Sequence, residues 1–204
     1  MTAVKICGLT RAEDVTAAVA LGAAILGFNF VESSPRRISW SHARELAAAI
    51  PSGIPRAGIF AEGPRSDIAR AIAEAGLQIV QVHRSVTRED VEELEAAVIP
   101  AVRVEAGRAG LPPAEVLTKC RALLWDSSGG RGREPDWTLV EEAGPLPVPV
   151  FLAGGLDPDN VGDVIRRLRP AGVDVASGVE RAPGIKDRGK LERFFQAVRE
   201  ADRG

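Results

Sequence analysis

The chain has 204 residues, of which 45% are hydrophobic and 26% are charged, with a formal net charge of -2. This ordinary globular composition argues against intrinsic disorder, and the nearly balanced charge argues against a surface built for nucleic acid or anionic membrane. No stretch has the pattern of a signal peptide or a membrane span, so we expect a single cytoplasmic domain over residues 1–204.

Short apolar runs alternate along the chain with amphipathic segments of helical period, a pattern typical of parallel strands joined by helices. Eight such units are predicted, with strands at 4–7, 25–29, 56–60, 79–83, 101–104, 123–126, 150–153 and 173–177. Eight units in one uninterrupted chain favour a closed α/β fold, the (β/α)8 or TIM barrel. The alternative is an open, flavodoxin-like sheet, which five or six true strands would permit.

The helices between the strands are predicted mainly from their first residues. Thr10, Ser41 and Thr87 are expected to begin three of them, and Thr87 and Asp90 to form a capping box. A fourth is expected to begin at Asp157. Glycines and prolines before residue 114 leave room only for a short or degenerate fifth helix. These predicted helices cover residues 11–21, 42–50, 88–97, 157–168 and, for the short fifth one, 115–120.

Two glycine-containing turns follow the last two predicted strands. The first contains Gly154 and Gly155, and the second contains Ser177 and Gly178. In a barrel of this kind the loops after the strands build the active site, and bare backbone N–H groups in such turns can converge on a phosphate. The alternative is that the glycines only permit tight turns. Because no Walker or dinucleotide fingerprint follows a strand, a phosphorylated metabolite is favoured over a nucleotide.

Cys7 ends the first predicted strand and Asp126 ends the sixth, so a thiol and a carboxyl group could address opposite faces of one small substrate. The alternatives are an inert buried cysteine, as expected for Cys120, and an aspartate that only caps a turn. Lys5 is expected to point inward at a lower layer, and the segment 127–132 to be a loop that closes over substrate. No metal-ligand or hydrolase spacing is found, so neither a metal site nor a hydrolase is expected.

Several motifs extend over most of the chain in a characteristic order. They are Lys-Ile-Cys-Gly-Leu-Thr (5–10), Gly-Phe-Asn-Phe (27–30), Ser-Pro-Arg-Arg-Ile-Ser (34–39), Val-Gln-Val-His (80–83), Trp-Asp-Ser (125–127), Gly-Gly-Arg-Gly (129–132), Asp-Trp (136–137), Leu-Ala-Gly-Gly-Leu-Asp-Pro-Asp-Asn-Val (152–161), Val-Asp-Val-Ala-Ser-Gly-Val-Glu (173–180) and Pro-Gly-Ile-Lys-Asp (183–187). In order and spacing the chain resembles the phosphoribosylanthranilate isomerase family, from residue 4 to about residue 194.

The resemblance implies a cofactor-free Amadori rearrangement of N-(5-phosphoribosyl)anthranilate in tryptophan biosynthesis. It implies that Asp126 is the general acid that opens the furanose ring and that Cys7 is the general base that removes the C2 proton. Arg36 matches the arginine that holds the anthranilate carboxylate, and His83 matches a substrate-binding histidine. The phosphate site is matched by Gly154, Gly155, Ser177 and Gly178. Departures from the family pattern, which affect substrate contacts and not the reaction type, occur at Asn29, Arg37 and Arg84.

The expected partner is a phosphorylated small molecule, with no nucleic acid and no membrane, and the sequence leaves a homodimer open. One rival function is that of another phosphosugar barrel, such as a histidine-pathway isomerase or a ribulose-phosphate epimerase. Cys7 discriminates against both, because the former use two carboxylates and the latter a metal with several histidine ligands. The second rival is a non-catalytic phosphometabolite-binding protein.

Overall fold

Eight parallel strands close into a barrel in chain order, with β1 paired to both β2 and β8. The structure is a computed structural model that describes residues 1–103, 110–127 and 137–204. The strands are β1 (Ala3–Ile6), β2 (Ile25–Asn29), β3 (Arg56–Phe60), β4 (Ile79–Val82), β5 (Ala97–Arg103), β6 (Leu123–Asp126), β7 (Val150–Ala153) and β8 (Gly172–Val175). The closed α/β barrel predicted from the sequence is therefore confirmed.

A helix follows each strand along the chain, as right-handed parallel crossovers require. The helices are α1 (Ala12–Leu21), α2 (Trp40–Ala47), α3 (Arg65–Ala75), α4 (Arg88–Glu93), α5 (Ala114–Leu117), α6 (Thr138–Ala143), α7 (Val161–Leu168) and α8 (Arg188–Ala201). Between β8 and α8 lie a 3₁₀ turn (Ser177–Val179) and a small antiparallel pair, β9 (Glu180–Ala182) and β10 (Ile185–Lys186). The short fifth helix is confirmed, since α5 has only four residues.

Residues alternate along each strand between the barrel interior and the helices that surround it. A large apolar cluster of outward-facing strand residues and inward-facing helix residues joins the two layers. Inside the barrel lies a second, smaller apolar cluster, whose buried members include Ile25, Ile79, Ile99, Leu124 and Phe151. Small residues fit this narrow interior, and a Cβ atom at Gly172 would overlap the Phe151 ring.

Four of the predicted strands have the observed bounds, and the largest error concerns β5. This strand begins at Ala97, four residues before the predicted start, and the predicted helix 88–97 ends at Glu93. The residue after the helix, Leu94, is already extended. Ala97 N–H donates to Gln78 O, and Val98 pairs with Val80 of β4. Sheet pairing therefore overrides the helical propensity of this alanine-containing segment.

Two of the predicted helix caps are wrong. The N-cap of α1 is Arg11, because Thr10 Oγ1 donates to Gly184 O instead of capping the helix. The cap of α2 is Ser39, whose hydroxyl accepts from His42 N–H at 3.1 Å, and not Ser41. Side-chain caps are local, whereas the contact between Thr10 and Gly184 joins parts of the chain that are distant in sequence. The capping box of Thr87 and Asp90 is confirmed.

The predicted start of α7 is also early, since the helix begins at Val161 and not at Asp157. The Asp157 carboxylate accepts from Asp159 N–H and Asn160 N–H, so it closes a turn before the helix. In the described part of the chain, no helix has both the length and the apolar character needed to cross a bilayer.

Candidate active site

A cavity of about 250 Å³ opens at the carboxyl ends of the barrel strands. Among the described residues, those at the ends of β1–β4 and β6–β8 contribute to its wall and those of β5 do not, which is the usual place of the active site in this fold. Seven of the eight predicted site residues line it: Cys7, Arg36, His83, Asp126, Gly154, Gly155 and Ser177. The structure thus brings together groups that lie far apart in the sequence. It does not place Gly178 in the cavity wall.

Cys7 lies directly after β1, where its N–H still donates to Val175 O of β8. Gly8 then turns the chain with a φ of 71°, and a Cβ atom at this position would overlap the Arg36 side chain. The thiol lines the cavity but is only 9% exposed. Burial raises the pKa of Cys7, while the Lys5 ammonium opposes that rise. The site therefore holds a thiol whose ionisation depends on nearby cations.

Lys5 and Asp174 form a buried ion pair inside the barrel, and Asp174 also lines the cavity. They are register neighbours on β1 and β8, and Lys5 Nζ lies 2.9 Å from Asp174 Oδ1. Burial disfavours the ammonium, but Asp174 and the hydrogen-bonded Cys7 side chain outweigh this effect and raise the pKa of Lys5. Lys5 points to a lower layer, as its spacing from Cys7 predicts, yet its charge still acts on the thiol.

Arg36 reaches the cavity from the loop between β2 and α2 and is held by Glu180 at the start of β9. Arg36 Nε donates to Glu180 Oε1 at 2.9 Å, and Arg36 Nη2 donates to Glu180 Oε2 at 2.6 Å. The hydrogen bonds that Arg36 donates to Glu180 raise the pKa of Arg36, so the guanidinium remains charged. Because Glu180 occupies the Nε side of the guanidinium, the opposite edge, with Nη1, can face a ligand.

Lys186 of β10 lies beneath the same corner of the cavity with a fully buried side chain. Its ammonium donates to Cys7 O at 2.7 Å, to Ala176 O at 3.0 Å and to Glu180 Oε1 at 2.9 Å. Burial lowers the pKa of Lys186, and Glu180 opposes that shift. All three ammonium hydrogens therefore have acceptors, as a buried cation requires.

Gln81 of β4 and His83, the residue after β4, face the cavity. The Gln81 side-chain amide and His83 Nε2 lie 2.9 Å apart, and the direction of this hydrogen bond depends on the His83 tautomer. Burial lowers the pKa of His83, and the charge of Asp126 opposes the change. The imidazole is therefore neutral at pH 7. Among the described residues, Gln81 Oε1 has no hydrogen-bond donor.

Asp126 is the last residue of β6, next to Ala153 of β7 and Arg103 of β5 in the barrel register. It is half-buried and lines the cavity. The predicted closing loop at 127–132 lies outside the described residues except for Ser127. The same is true of the motif residues Gly129–Gly130, Arg131–Gly132 and Asp136.

The two predicted phosphate turns lie side by side after β7 and β8. Gly154 and Gly155 both have positive φ, 92° and 67°, which a side chain would strain. Ser127 Oγ donates to Gly154 O at 2.8 Å and so fixes the first turn. Gly178 has another role in packing: a Cβ atom there would overlap the carbonyl oxygen of Leu156. Glycine at 178 is thus required by backbone contact between the two turns.

The sequence analysis assigned no role to four buried polar residues of this region: Gln81, Asp174, Glu180 and Lys186. Each lies inside a quoted motif, and each occupies a position where an apolar core residue is usual. A charged residue within a short buried strand is the signal that could have found Asp174 and Lys186. Their partners follow only from barrel closure and from the pairing of β9 with β10.

The comparisons with known proteins agree with this geometry. The profile of the family described as N-(5'phosphoribosyl)anthranilate (PRA) isomerase matches residues 4–197. An N-(5'-phosphoribosyl)anthranilate isomerase of Chlorobaculum parvum is 42% identical over 221 residues, covering 100% of this chain and 97% of that protein.

Solved structures show the same likeness. A phosphoribosyl anthranilate isomerase from Thermus thermophilus is 36% identical with a TM-score of 0.82, over 98% of this chain and 99% of that one. A phosphoribosyl anthranilate isomerase in complex with reduced 1-(o-carboxyphenylamino)-1-deoxyribulose 5-phosphate is 31% identical, with a TM-score of 0.82 over 98% and 100% of the two chains. The chain described here therefore belongs to the phosphoribosylanthranilate isomerase family.

Proposed function

We propose that this protein catalyses the Amadori rearrangement of N-(5-phosphoribosyl)anthranilate to 1-(2-carboxyphenylamino)-1-deoxyribulose 5-phosphate, a step of tryptophan biosynthesis. One observation carries the proposal. A single cavity contains a thiol from β1, a carboxyl group from β6 and the paired turns after β7 and β8. Family membership supports the same substrate, a phosphorylated small molecule.

In the proposed reaction, the Asp126 carboxyl group donates a proton to the furanose ring oxygen. The C1–O bond breaks, and the substrate's own nitrogen supplies the electron pair that forms a C1 iminium ion. The Cys7 thiolate then removes the C2 proton, which the iminium has made acidic, and an enolamine results. Return of a proton to C1 and loss of the enol proton give the C2 ketone. The electron sink belongs to the substrate, so the step needs no cofactor.

The environment of Cys7 supports its role as the base and predicts a pH dependence. Burial and the Asp174 carboxylate favour the neutral thiol, whereas Lys5 and Lys186 favour the thiolate. The pKa is raised overall, so the thiolate fraction increases as the pH rises towards that pKa. We therefore expect kcat/KM to increase from neutral to alkaline pH, with Cys7 responsible for the ascending limb. A flat profile over this range contradicts the assignment.

Substrate binding is proposed to divide between the two sides of the cavity. Arg36 would pair with the anthranilate carboxylate through the edge of its guanidinium that Glu180 leaves open. The backbone N–H groups of Gly154, Gly155, Ser177 and Gly178 would bind the phosphate. The neutral His83 imidazole would contact the substrate between these ends.

The test is an activity measurement on the purified chain. Freshly prepared phosphoribosylanthranilate is added, and the loss of anthranilate-type fluorescence is followed together with the product by mass spectrometry. We expect steady-state turnover without added metal. Binding of the substrate without turnover would contradict the proposal and favour a phosphometabolite-binding protein. Turnover of another phosphosugar alone would favour a different barrel isomerase.

Two further expectations from the sequence remain predictions. Residues 1–204 are proposed to form one domain, which a single cooperative unfolding transition followed by two probes would support. A homodimer is an option that light scattering can decide, because the mass of a dimer is twice that of the 21.6 kDa chain.

A further inference from the structure

Two buried residues beside the cavity, Glu180 and Lys186, have no role in the reaction proposed above. We refer to them as the β9–β10 clamp, since β9 begins with Glu180 and β10 ends with Lys186. Lys186 Nζ lies 2.9 Å from Glu180 Oε1, and their side chains are 0% and 4% exposed. Burying two charges costs free energy unless each makes further polar contacts, so the additional partners of the clamp are informative.

The partners of Lys186 belong to the predicted active site. Its ammonium donates to the carbonyl oxygens of Cys7 and Ala176, at 2.7 and 3.0 Å. Cys7 carries the proposed base, and Ala176 is the residue immediately before the proposed phosphate-binding Ser177. One buried ammonium thus joins the chain after β1 to the chain after β8. It also fixes the distance between these two parts of the cavity.

The partners of Glu180 belong to the other end of the substrate. Its carboxylate accepts from Arg36 Nε and Nη2, from Gly184 N–H and from Lys186. An arginine side chain has several rotatable bonds, and their ordering opposes ligand binding. A guanidinium already held by Glu180 avoids most of that cost. The buried carboxylate also separates two cations that would otherwise repel each other.

The charges around Cys7 come from four different elements. They are Lys5 of β1, Asp174 of β8, Lys186 of β10 and Arg36 of the loop between β2 and α2. Lys5 is paired with Asp174, and Arg36 is paired with Glu180. Lys186 shares Glu180 with Arg36, so this group of three charges keeps a net positive charge next to the thiol. A net positive charge favours the thiolate over the thiol.

We propose that the β9–β10 clamp is a positioning device of the active site. Glu180 presents Arg36 to the carboxylate of the substrate, and Lys186 holds Cys7 in place and favours its thiolate. The inference rests on the proposed function and assigns to the motif at residues 183–187 a part in the reaction.

The first experiment compares Glu180→Gln with Glu32→Gln. Glu32 pairs with the neighbouring Arg37 at 2.6 Å on the exposed side of the same loop, so it is a matched control. Loss of the Glu180 charge frees the Arg36 side chain, and we expect KM to rise by about tenfold while kcat changes by less than about threefold. Glu32→Gln is expected to leave both constants unchanged. An unchanged or lower KM in Glu180→Gln would overturn the role of Glu180.

The second experiment compares Lys186→Gln with Lys190→Gln, both combined with Cys120→Ala. Glutamine can still donate to the carbonyl oxygens but carries no charge. Lys190 donates to Glu180 O at 2.8 Å and serves as the nearby control. The rate of iodoacetamide alkylation of Cys7 is followed against pH by mass spectrometry. For Lys186→Gln we expect the curve to move to higher pH by on the order of one unit, with a parallel shift in kcat/KM.

Each outcome decides one question. No shift of the alkylation curve in Lys186→Gln, or an equal shift in Lys190→Gln, would overturn the role of Lys186. If Lys186→Gln does not fold, the KM of Glu180→Gln still tests the clamp, because glutamine has the shape of glutamate. The proposed function fails separately, when the unmodified protein shows no turnover or when Cys7→Ala retains it.

Discussion

The two ends of the barrel interior differ sharply in chemistry. At the amino-terminal end, alternate strand residues form an apolar cluster that includes Ile25, Ile79 and Phe151. At the carboxyl-terminal end, the next inward positions include Lys5 and Asp174, both buried and charged. Burial of apolar side chains stabilises the fold by itself. Buried charges stabilise it only if their ion-pair and hydrogen-bond partners offset the cost of removing them from water. The carboxyl-terminal end is therefore built for chemistry at a cost in stability.

The largest effect on the difference between the two ends of the barrel is expected from Asp174→Asn, which leaves the Lys5 ammonium buried beside a neutral partner. Breaking a buried ion pair by removing one partner costs about 3–5 kcal/mol in the free energy of unfolding. Urea denaturation measures the change. The control is Glu74→Gln, which breaks an exposed pair with Arg70 and is expected to change the free energy of unfolding far less. Equal costs for the two variants would show that burial does not set the strength of the pair.

The next largest effects are expected on turnover. Cys7→Ala and Asp126→Ala should each lower kcat by at least about 10²-fold with the fold retained, as expected for a general base and a general acid. The matched control is Cys120→Ala, because burial raises the pKa of this second cysteine to about 11 and its thiol only donates to Val116 O. Near-normal kcat in either site variant, with circular dichroism unchanged, would refute its assignment.

A smaller effect is expected from Arg36→Ala, which removes the proposed partner of the anthranilate carboxylate. Loss of one charge-assisted contact should raise KM by about tenfold, with a modest decrease in kcat. Arg37→Ala provides the comparison, since Arg37, although it departs from the family pattern, pairs with Glu32 at an exposed position and does not line the cavity. If the two arginine variants show the same KM, Arg36 has no place in the substrate site.

The smallest effect is expected from a substitution in the apolar cluster at the amino-terminal end of the barrel. Ile79→Val removes one buried methyl group of the inner cluster, where Ile79 is 4% exposed. We expect the free energy of unfolding to fall by about 1 kcal/mol and kcat to remain within about twofold of the parent value. Urea denaturation and the fluorescence assay measure the two quantities on one preparation. A large loss of kcat would mean that the apolar layer also positions the site.

The barrel could be predicted from the order of short apolar runs and amphipathic segments along the chain. Buried parallel strands and amphipathic helices differ in these patterns. The patterns were not sufficient where pairing decides the conformation. The segment after Glu93 has helical propensity, yet β5 begins at Ala97 because Val98 finds a partner on β4. Thr10 has the residue type of a cap, yet its hydroxyl contacts Gly184, which the sequence places far away. Local rules cannot include such distant partners.

The candidate site shows the same division. The ends of the strands could be located from the sequence, and seven of the eight proposed residues line one cavity. The partners of the charged residues around Cys7 could not be predicted from the sequence. Lys5 meets Asp174 only because the first and last strands are neighbours, and Lys186 meets Cys7 O only because β9 and β10 form a hairpin. These partners are set by topology, which motif spacing does not specify.

The contact between Gly178 and the carbonyl oxygen of Leu156 has a consequence for engineering of the proposed phosphate-binding turns. Main chain against main chain leaves no rotamer that could adjust, so the turns after β7 and β8 must move as one rigid unit. Loop grafts or libraries that diversify only one of them will carry the other along. To change the distance between these turns, both must be redesigned together, with glycine retained at 178.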